Sequence, residues 1–428
     1  MNNLNKAVKI IYIFLISYIC LIPFYYYPAD SLSVFRIPVI KYFPLVLIGA
    51  LLVISVARGS FYPKLIKADK LNLSILLYLF LTLLSGLGTA YYPVSVFKAA
   101  YYAATGILVY LIISSWDLSA EAKVYFFKSI VFTGFLAGLY GIFTLISGRD
   151  LFFSRLEYAK SNLAAPEVWL AMGRISSSLG NPLFLGGVLS LLFPMAIYLW
   201  LYNREGKKFF GILLAIQAGV IFLGLVFTFS IGALASVVFF YIYYLVKIKK
   251  NYPGSKVFKK VSAFLFWGAG ACCLIFFVLA ANVYSLTRNN SYIFGNFLGK
   301  IDFQKLTNLQ SISLRWDSLK YAADFLKTPF AFFGAGIGKL GTGELYLSRV
   351  SLDNYWCLSL VESGVFTTLA LGLVFWAALN RASEKREDPL YAFLRAGLII
   401  FFINLLFFDA LNQPVMRILF WSFIGFLV

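Results

Sequence analysis

The segment 209–227 reads FFGILLAIQAGVIFLGLVF. One polar side chain, Gln217, and no charge interrupt it. A helix of that length rises about 28 Å, close to the ~30 Å hydrocarbon core of a bilayer. Thr228-Phe229-Ser230 follows, and then a second apolar run at 231–247. Lys207 and Lys208 precede the first run; Lys247, Lys249 and Lys250 close the second. Basic residues collect on the cytoplasmic side of membrane segments. With both distant ends basic, the pair reads as two spans joined by an outside turn at 228–230, not as one interrupted helix.

The same reading extends to the whole chain. Of 428 residues, 61% are hydrophobic and 13% charged, where a soluble protein carries about a quarter charged. Apolar runs fall near 8–27, 38–57, 71–91, 95–114, 124–147, 182–202, 209–227, 231–247, 261–281, 355–379, 389–408 and 413–428. Lipid-exposed backbone must satisfy its own hydrogen bonds, so the runs are expected as helices. The alternation of a membrane β-barrel is missing. The expected fold class is an all-α polytopic membrane protein with about twelve transmembrane helices. The first run lacks a small-residue cleavage site and is read as a retained span, not a signal peptide.

Alternation from a cytoplasmic N-terminus puts Arg58–Lys70, Ser115–Lys123, Asn203–Lys208, Lys247–Lys260 and Asn380–Asp388 inside, and both termini inside. Lys247–Lys260 holds six lysines and no acid. The formal net charge of +19 is thereby placed in cytoplasmic loops, with no need for a nucleic-acid partner. The chain divides into an N-terminal scaffold of five spans (1–147), a first outside loop (148–181), four central spans (182–281), a large outside loop expected to be catalytic and to contain short helices (282–354), and three C-terminal spans (355–428). Two outside segments this long exceed what a connector needs.

No histidine occurs, which removes the commonest general base and metal ligand. Cys20, Cys272, Cys273 and Cys357 show neither metal-ligand spacing nor a disulfide framework. No metal and no cofactor are expected. Charges inside the spans are few, with Lys41, Lys98, Glu362 and Arg395 the main ones.

Four motifs carry possible chemistry. Arg174 precedes Ser176-Ser177-Ser178-Leu179-Gly180-Asn181-Pro182. Asn181 is suited to an N-cap and Pro182 to the first helical position. The helix N-terminus then offers an anion site, to which Arg174 adds a fork of donors; the plainer reading is a capped helix beside a surface arginine. Ser313–Lys327 reads as a helix, with Arg315 in its first turn and Trp316 and Leu319 on an apolar face, ended by Thr328-Pro329. Gly334-Ala335-Gly336-Ile337-Gly338-Lys339 lacks Walker spacing, has Leu340 where Ser or Thr is needed, and follows no strand. Nucleotide binding is therefore rejected and a flexible turn expected. Asp353-Asn354-Tyr355-Trp356 opens the span 355–379. Either Asp353 or Asn354 suits an N-cap, or Asp353 acts as a general base. Glu362 lies two turns deeper, and an acid inside a span is a functional candidate.

In this order the motifs resemble those of the O-antigen ligase and O-antigen polymerase superfamily of bacterial membrane glycan transferases. The resemblance covers about Gly173 to Phe375. It rests on the Arg174 motif; on Leu225–Ala233 around Thr228-Phe229-Ser230; on Arg315-Trp316 with Thr328-Pro329-Phe330 and Gly334-Ala335-Gly336; and on Asp353-Asn354-Tyr355-Trp356 with Glu362-Ser363-Gly364. It implies a GT-C-like helical architecture in the bacterial inner membrane, with an active site on the periplasmic or outer face. It further implies metal-independent, inverting transfer of glycan from an undecaprenyl-diphosphate-linked oligosaccharide to a glycan or lipid acceptor, with no nucleotide. Arg174 and Arg315 would bind the diphosphate with Asn181. Asp353 would be the base, and Ser230, Asn354, Glu362, Arg288 and Arg349 would support. Two positions depart from the pattern: Ile231 stands where Arg often follows Ser230, and Asp353 where ligase-type members often carry His. The second leans toward a polymerase.

Two other readings compete. A flippase for lipid-linked oligosaccharide should show internal repeats and a charged midplane cavity, and neither is visible in the sequence. An assembly protein would use the outside loops for docking and would tolerate loss of Arg174 and Arg315.

Overall fold

The computed structural model describes residues 33–34, 37–38, 69–87, 92–115, 120–147, 174–177, 181–202, 208–248, 256–287, 309–337, 352, 354–385 and 388–428. The described helices, in chain order, are α1 (Lys70–Leu87), α2 (Tyr92–Ser115), α3 (Ala120–Ser147), α4 (Pro182–Tyr202), α5 (Lys208–Phe227), α6 (Ile231–Tyr243), α7 (Lys256–Thr287), α8 (Leu309–Phe325), α9 (Tyr355–Glu384), α10 (Pro389–Phe407) and α11 (Pro414–Gly425). A π-helical turn, Tyr244–Ile248, continues α6. Ser33–Val34 and Ile37–Pro38 form a two-residue antiparallel pair.

Eight of these helices are long and apolar enough to cross a membrane, α6 being counted together with its π turn. The chain is a helical, multi-pass membrane protein. The expected spans 8–27 and 38–57, Pro38 apart, lie outside the described residues. The expected span 261–281 falls within α7. The run 413–428 forms a helix of only 12 residues, about 18 Å long and short of a full crossing. Hydropathy sees the apolar run but not where the helix ends inside it.

The chain forms two compact units, each discontinuous in sequence. The first comprises 1–44, 119–309 and 392–400; the second comprises 45–118, 310–391 and 401–428.

In the first unit α3 packs on α4 and α5, α4 also on α5 and α6, and α7 on α6. Every residue of α4 from Leu185 to Leu199 is buried, as befits a helix apolar on all sides. Its Phe193 meets Phe222 of α5, Phe240 of α6 and Phe264 of α7, with centroids 5.7–6.3 Å apart. Small residues let α3 and α5 approach: a Cβ on Gly224 would lie 3.0 Å from the Cα of Gly138. Close backbone approach of this kind is how membrane helices gain dispersion contact without a hydrophobic drive.

In the second unit α9 packs on α1, and α2 on α1 and α11. The Tyr110 hydroxyl of α2 donates to Asn72 of α1 inside the unit. Phe375 of α9 lies 4.9 Å from Phe420 of α11, which stacks on Phe401 at 4.7 Å. All of α11 from Val415 to Gly425 is buried.

The helix α9 is broken at Gly364, whose φ of 84° and ψ of 172° are non-helical. The break frees the carbonyls of Val361 and Glu362, and the Gly334-Ala335-Gly336 segment takes them up. Ala335 N–H donates to Val361 O at 2.8 Å and Gly336 N–H to Glu362 O at 3.0 Å. Phe366 N–H donates back to Phe332 O at 3.4 Å. Ser85 of α1 also donates to Glu362 O, at 3.3 Å. The glycine segment, expected as a flexible turn, is instead strapped to the break. Irregular backbone inside an apolar bundle must find partners in the protein, and this segment supplies them.

A second difference concerns α8, which begins at Leu309, four residues before the expected Ser313. Arg315 therefore stands in its second turn, not its first. Trp316 and Leu319 are on an exposed face, while Ser318 and Ala322 are the buried residues of that stretch. Past the helix end, Lys327 pairs with Asp324 at 2.7 Å, both exposed. The hydrogen bond and the charge of Lys327 hold the Asp324 carboxyl below its ordinary range.

Candidate functional site

Two motifs that are 54 residues apart meet in the first unit. Arg174 begins the short described segment 174–177, which is tied down at three points. Arg174 Nε donates to the Thr228 carbonyl at 2.9 Å. Ile175 N–H donates to the Phe227 carbonyl at 3.1 Å, and its side chain fills the notch at Gly141 of α3, where a Cβ would come within 2.9 Å of Ile175 Cδ1. Ser177, at a φ of 53°, donates from its buried hydroxyl to Ala137 O at 2.7 Å. The segment is thus pinned to the end of α5 and to α3, and Arg174 is half-buried with its guanidinium fixed at one edge.

Asn181 and Pro182 start α4 as expected. The Asn181 side-chain oxygen accepts from Leu183 N–H at 2.8 Å, so that oxygen is committed to the cap. The turn between α5 and α6 is also as expected. Thr228 is fully buried and donates from Oγ1 to Leu225 O at 2.7 Å, while the same oxygen accepts from Ser230 N–H at 3.3 Å. Phe229 takes a φ of 48°, and Ser230, 2% exposed, is the N-cap of α6 but makes no side-chain cap bond. Gly186 of α4 touches this turn: a Cβ there would lie 3.0 Å from both Ser230 Cβ and Thr228 Oγ1.

The N-termini of α4 and α6 consequently start side by side, with Arg174 anchored at the turn. Each N-terminus carries a partial positive charge and N–H groups unmatched within its own helix. A guanidinium beside two such ends makes a place where negative charge is stabilised.

The second unit holds the later motifs. Asn354 caps α9, its side-chain oxygen accepting from Trp356 N–H at 2.9 Å and Cys357 N–H at 3.2 Å. Of the two residues offered as caps, the cap is thus Asn354. Glu362 is 3% exposed, one residue before Ser363 and the break at Gly364. Arg315 stands on α8. Asp353, Arg288 and Arg349 lie outside the described residues. Arg174, Asn181 and Ser230 thus share one unit, and Arg315, Asn354 and Glu362 the other.

Sequence reading passed over one residue of this unit. Arg417, in the first turn of α11, is 2% exposed. Its guanidinium carbon sits 4.1 Å over the Tyr102 ring and 5.2 Å from that of Tyr101. Lys98 is 5% exposed, with Nζ 5.5 Å from the Tyr102 centroid. The Tyr102 hydroxyl donates to Asn412 Oδ1 at 2.5 Å. Arg417, Tyr102, Tyr78 and Tyr355 help to line a cavity of ≈ 20 Å³, room for about one water. The available signal was an arginine inside an apolar run, a functional candidate by default.

Among the described residues no group of three His, Cys, Asp or Glu side chains is placed to hold a metal ion. No protein-family model matches the chain, and no curated protein matches its sequence.

Proposed function

We propose that this chain is an inner-membrane glycosyltransferase. It takes a glycan from an undecaprenyl-diphosphate carrier on the outer face and passes it to a glycan or lipid acceptor. The motif resemblance suggests the reaction class. The observation that carries the reading is the anchoring of Arg174 to Thr228 at 2.9 Å, where the N-termini of α4 and α6 start together.

The chemistry asks for such a place. The acceptor oxygen bonds to the anomeric carbon as the bond from that carbon to the diphosphate oxygen breaks. The lipid diphosphate leaves with the electron pair, and the acceptor hydroxyl gives up its proton. Charge grows on the leaving oxygen, so fixed donors aimed at it lower the barrier. Arg suits a diphosphate better than Lys because its planar fork binds two oxygens at once. The resemblance also gives Arg315 a diphosphate-binding role and Asp353 the acceptor proton. Both termini are assigned to the cytoplasm, and Asp353 in place of His favours a polymerase over a ligase.

A second reading, transport of a lipid-linked oligosaccharide, draws on the break of α9 at Gly364. Interrupted membrane helices are common at transport sites.

One experiment separates the two. Purified protein in nanodiscs receives an undecaprenyl-diphosphate oligosaccharide, without nucleotide, and product is resolved by size. Transferred or polymerised glycan, lost in Arg174→Ala, supports the transferase. Unaltered donor carried across the membrane of proteoliposomes, with no product from several donors, overturns it in favour of the transporter.

A further inference from the structure

We propose that Arg417 is the fork of a phosphate-binding site in the second unit, built to hold the phosphate of a lipid headgroup. The inference stands on the geometry of this unit alone and needs no particular transfer reaction.

Arg417 is 2% exposed, and among the described residues none of its Nε, Nη1 and Nη2 has a hydrogen-bond partner. No carboxylate among the described residues lies within ion-pair distance of it. An uncompensated charge is costly in a protein interior or a bilayer, and such residues there are usually paired. The Tyr102 ring at 4.1 Å offsets part of the cost through its π face. A ring face is not the set of in-plane acceptors that a guanidinium's five N–H groups call for.

The cavity's lining matches an anionic head beside hydrocarbon. Arg417, Tyr78, Thr82, Tyr102 and Tyr355 form its polar part, and Leu79, Ile107, Leu411 and Trp421 are among the apolar remainder. Its ≈ 20 Å³ has room for about one oxygen atom, so a phosphate would reach Arg417 through one oxygen, which can accept from more than one of the guanidinium's N–H groups. Basic pockets between membrane helices are known to take lipid headgroups.

The test is ligand-induced thermal stabilisation of the full chain in a phosphate-free detergent, since a ligand that binds only the folded state raises its stability. The probes are farnesyl diphosphate, inorganic pyrophosphate and farnesol. Farnesyl diphosphate should give a saturable upward shift that farnesol does not. The double variant Arg174→Ala/Arg315→Ala, which removes both arginines assigned to the transferred diphosphate, should keep a saturable shift, and the Arg417 variants are read in that background. Arg417→Met should weaken the affinity at least tenfold. If that variant does not fold, Arg417→Lys serves: it keeps the charge, loses the fork, and should also weaken binding at least tenfold. Pyrophosphate as effective as farnesyl diphosphate keeps the phosphate site but assigns it to a free anion. Binding unchanged in the Arg417 variants, or abolished by the double variant alone, overturns the proposal. Glycan transfer is not read here, so a protein with no transferase activity still tests this site.

Discussion

Gly334 and Gly364 lie backbone against backbone: a Cβ on Gly334 would come 2.7 Å from the Gly364 nitrogen, and one on Gly364 2.6 Å from the Gly334 nitrogen. Both residues also take positive φ, 86° and 84°. The pair is where the loop after α8 is strapped to the broken membrane helix α9.

Alanine at either position meets two penalties, a disfavoured backbone conformation and a contact with backbone that cannot swing aside. Gly334→Ala and Gly364→Ala should each lower stability by about 2–4 kcal/mol. Thermal unfolding in detergent checks this. A variant as stable as the parent would mean that the strap is not held in this form.

The crossing of α3 and α5 offers a controlled comparison. A side chain at Gly224 would press on Gly138 Cα at 3.0 Å and Leu189 Cδ1 at 3.1 Å, whereas Gly219 on the same helix has nothing within 4 Å. Gly224→Leu should destabilise by about 1–3 kcal/mol or more through overpacking. Gly219→Ala should be neutral or stabilising by up to about 1 kcal/mol from helix propensity. Equal effects at the two sites would argue against the close crossing.

Arg174→Ala should cut glycan transfer by about a hundredfold or more, the size of effect seen when one fixed donor to a developing anion is lost. Arg174→Lys should restore little, because a point charge does not replace a fork. Amounts of membrane-inserted protein, measured in parallel, should be unchanged. Full rescue by Lys would reduce the role to simple charge.

Arg315→Ala is expected to resemble Arg174→Ala in activity. Its placement on α8, outside the candidate membrane spans, predicts intact insertion. Transfer at the parent rate would remove Arg315 from the reaction.

Adjacent residues should separate structure from chemistry. Asn354 caps α9 through two N–H groups, so Asn354→Ala should cost about 1 kcal/mol of stability and leave most of the transfer rate. Asp353→Asn should lower the rate by about a hundredfold or more if its carboxylate takes the proton, with stability little changed. A near-normal rate for Asp353→Asn would mean that the leaving diphosphate makes a base unnecessary.

Much of this architecture was legible in the sequence because its signals are local. Nineteen residues without a charge at 209–227 imply a membrane helix wherever they sit. Asn181-Pro182 starts a helix because a side-chain oxygen two residues from an N–H meets it through the chain itself. The turn at 228–230 was readable from lysines at the far ends of two runs. Boundaries were less legible. The start of α8 moved by four residues, and the run at 413–428 yielded 12 helical residues, because run length says nothing of where capping and packing end a helix.

The candidate site divides along the same line. The sequence alone determined that Arg174, Thr228–Ser230, Asn354 and Glu362 stand at the ends of or within apolar runs, since helix length and capping act within a turn or two. Only the tertiary structure decided that Arg174 reaches the Thr228 carbonyl across 54 positions, and that the glycine segment closes the break in α9. It also decided that Arg417 is buried beside Tyr101 and Tyr102 with no acceptor for its N–H groups among the described residues. Those outcomes depend on which helix faces meet and at what distance, and composition within one segment carries no record of the side chains that another segment will bring against it.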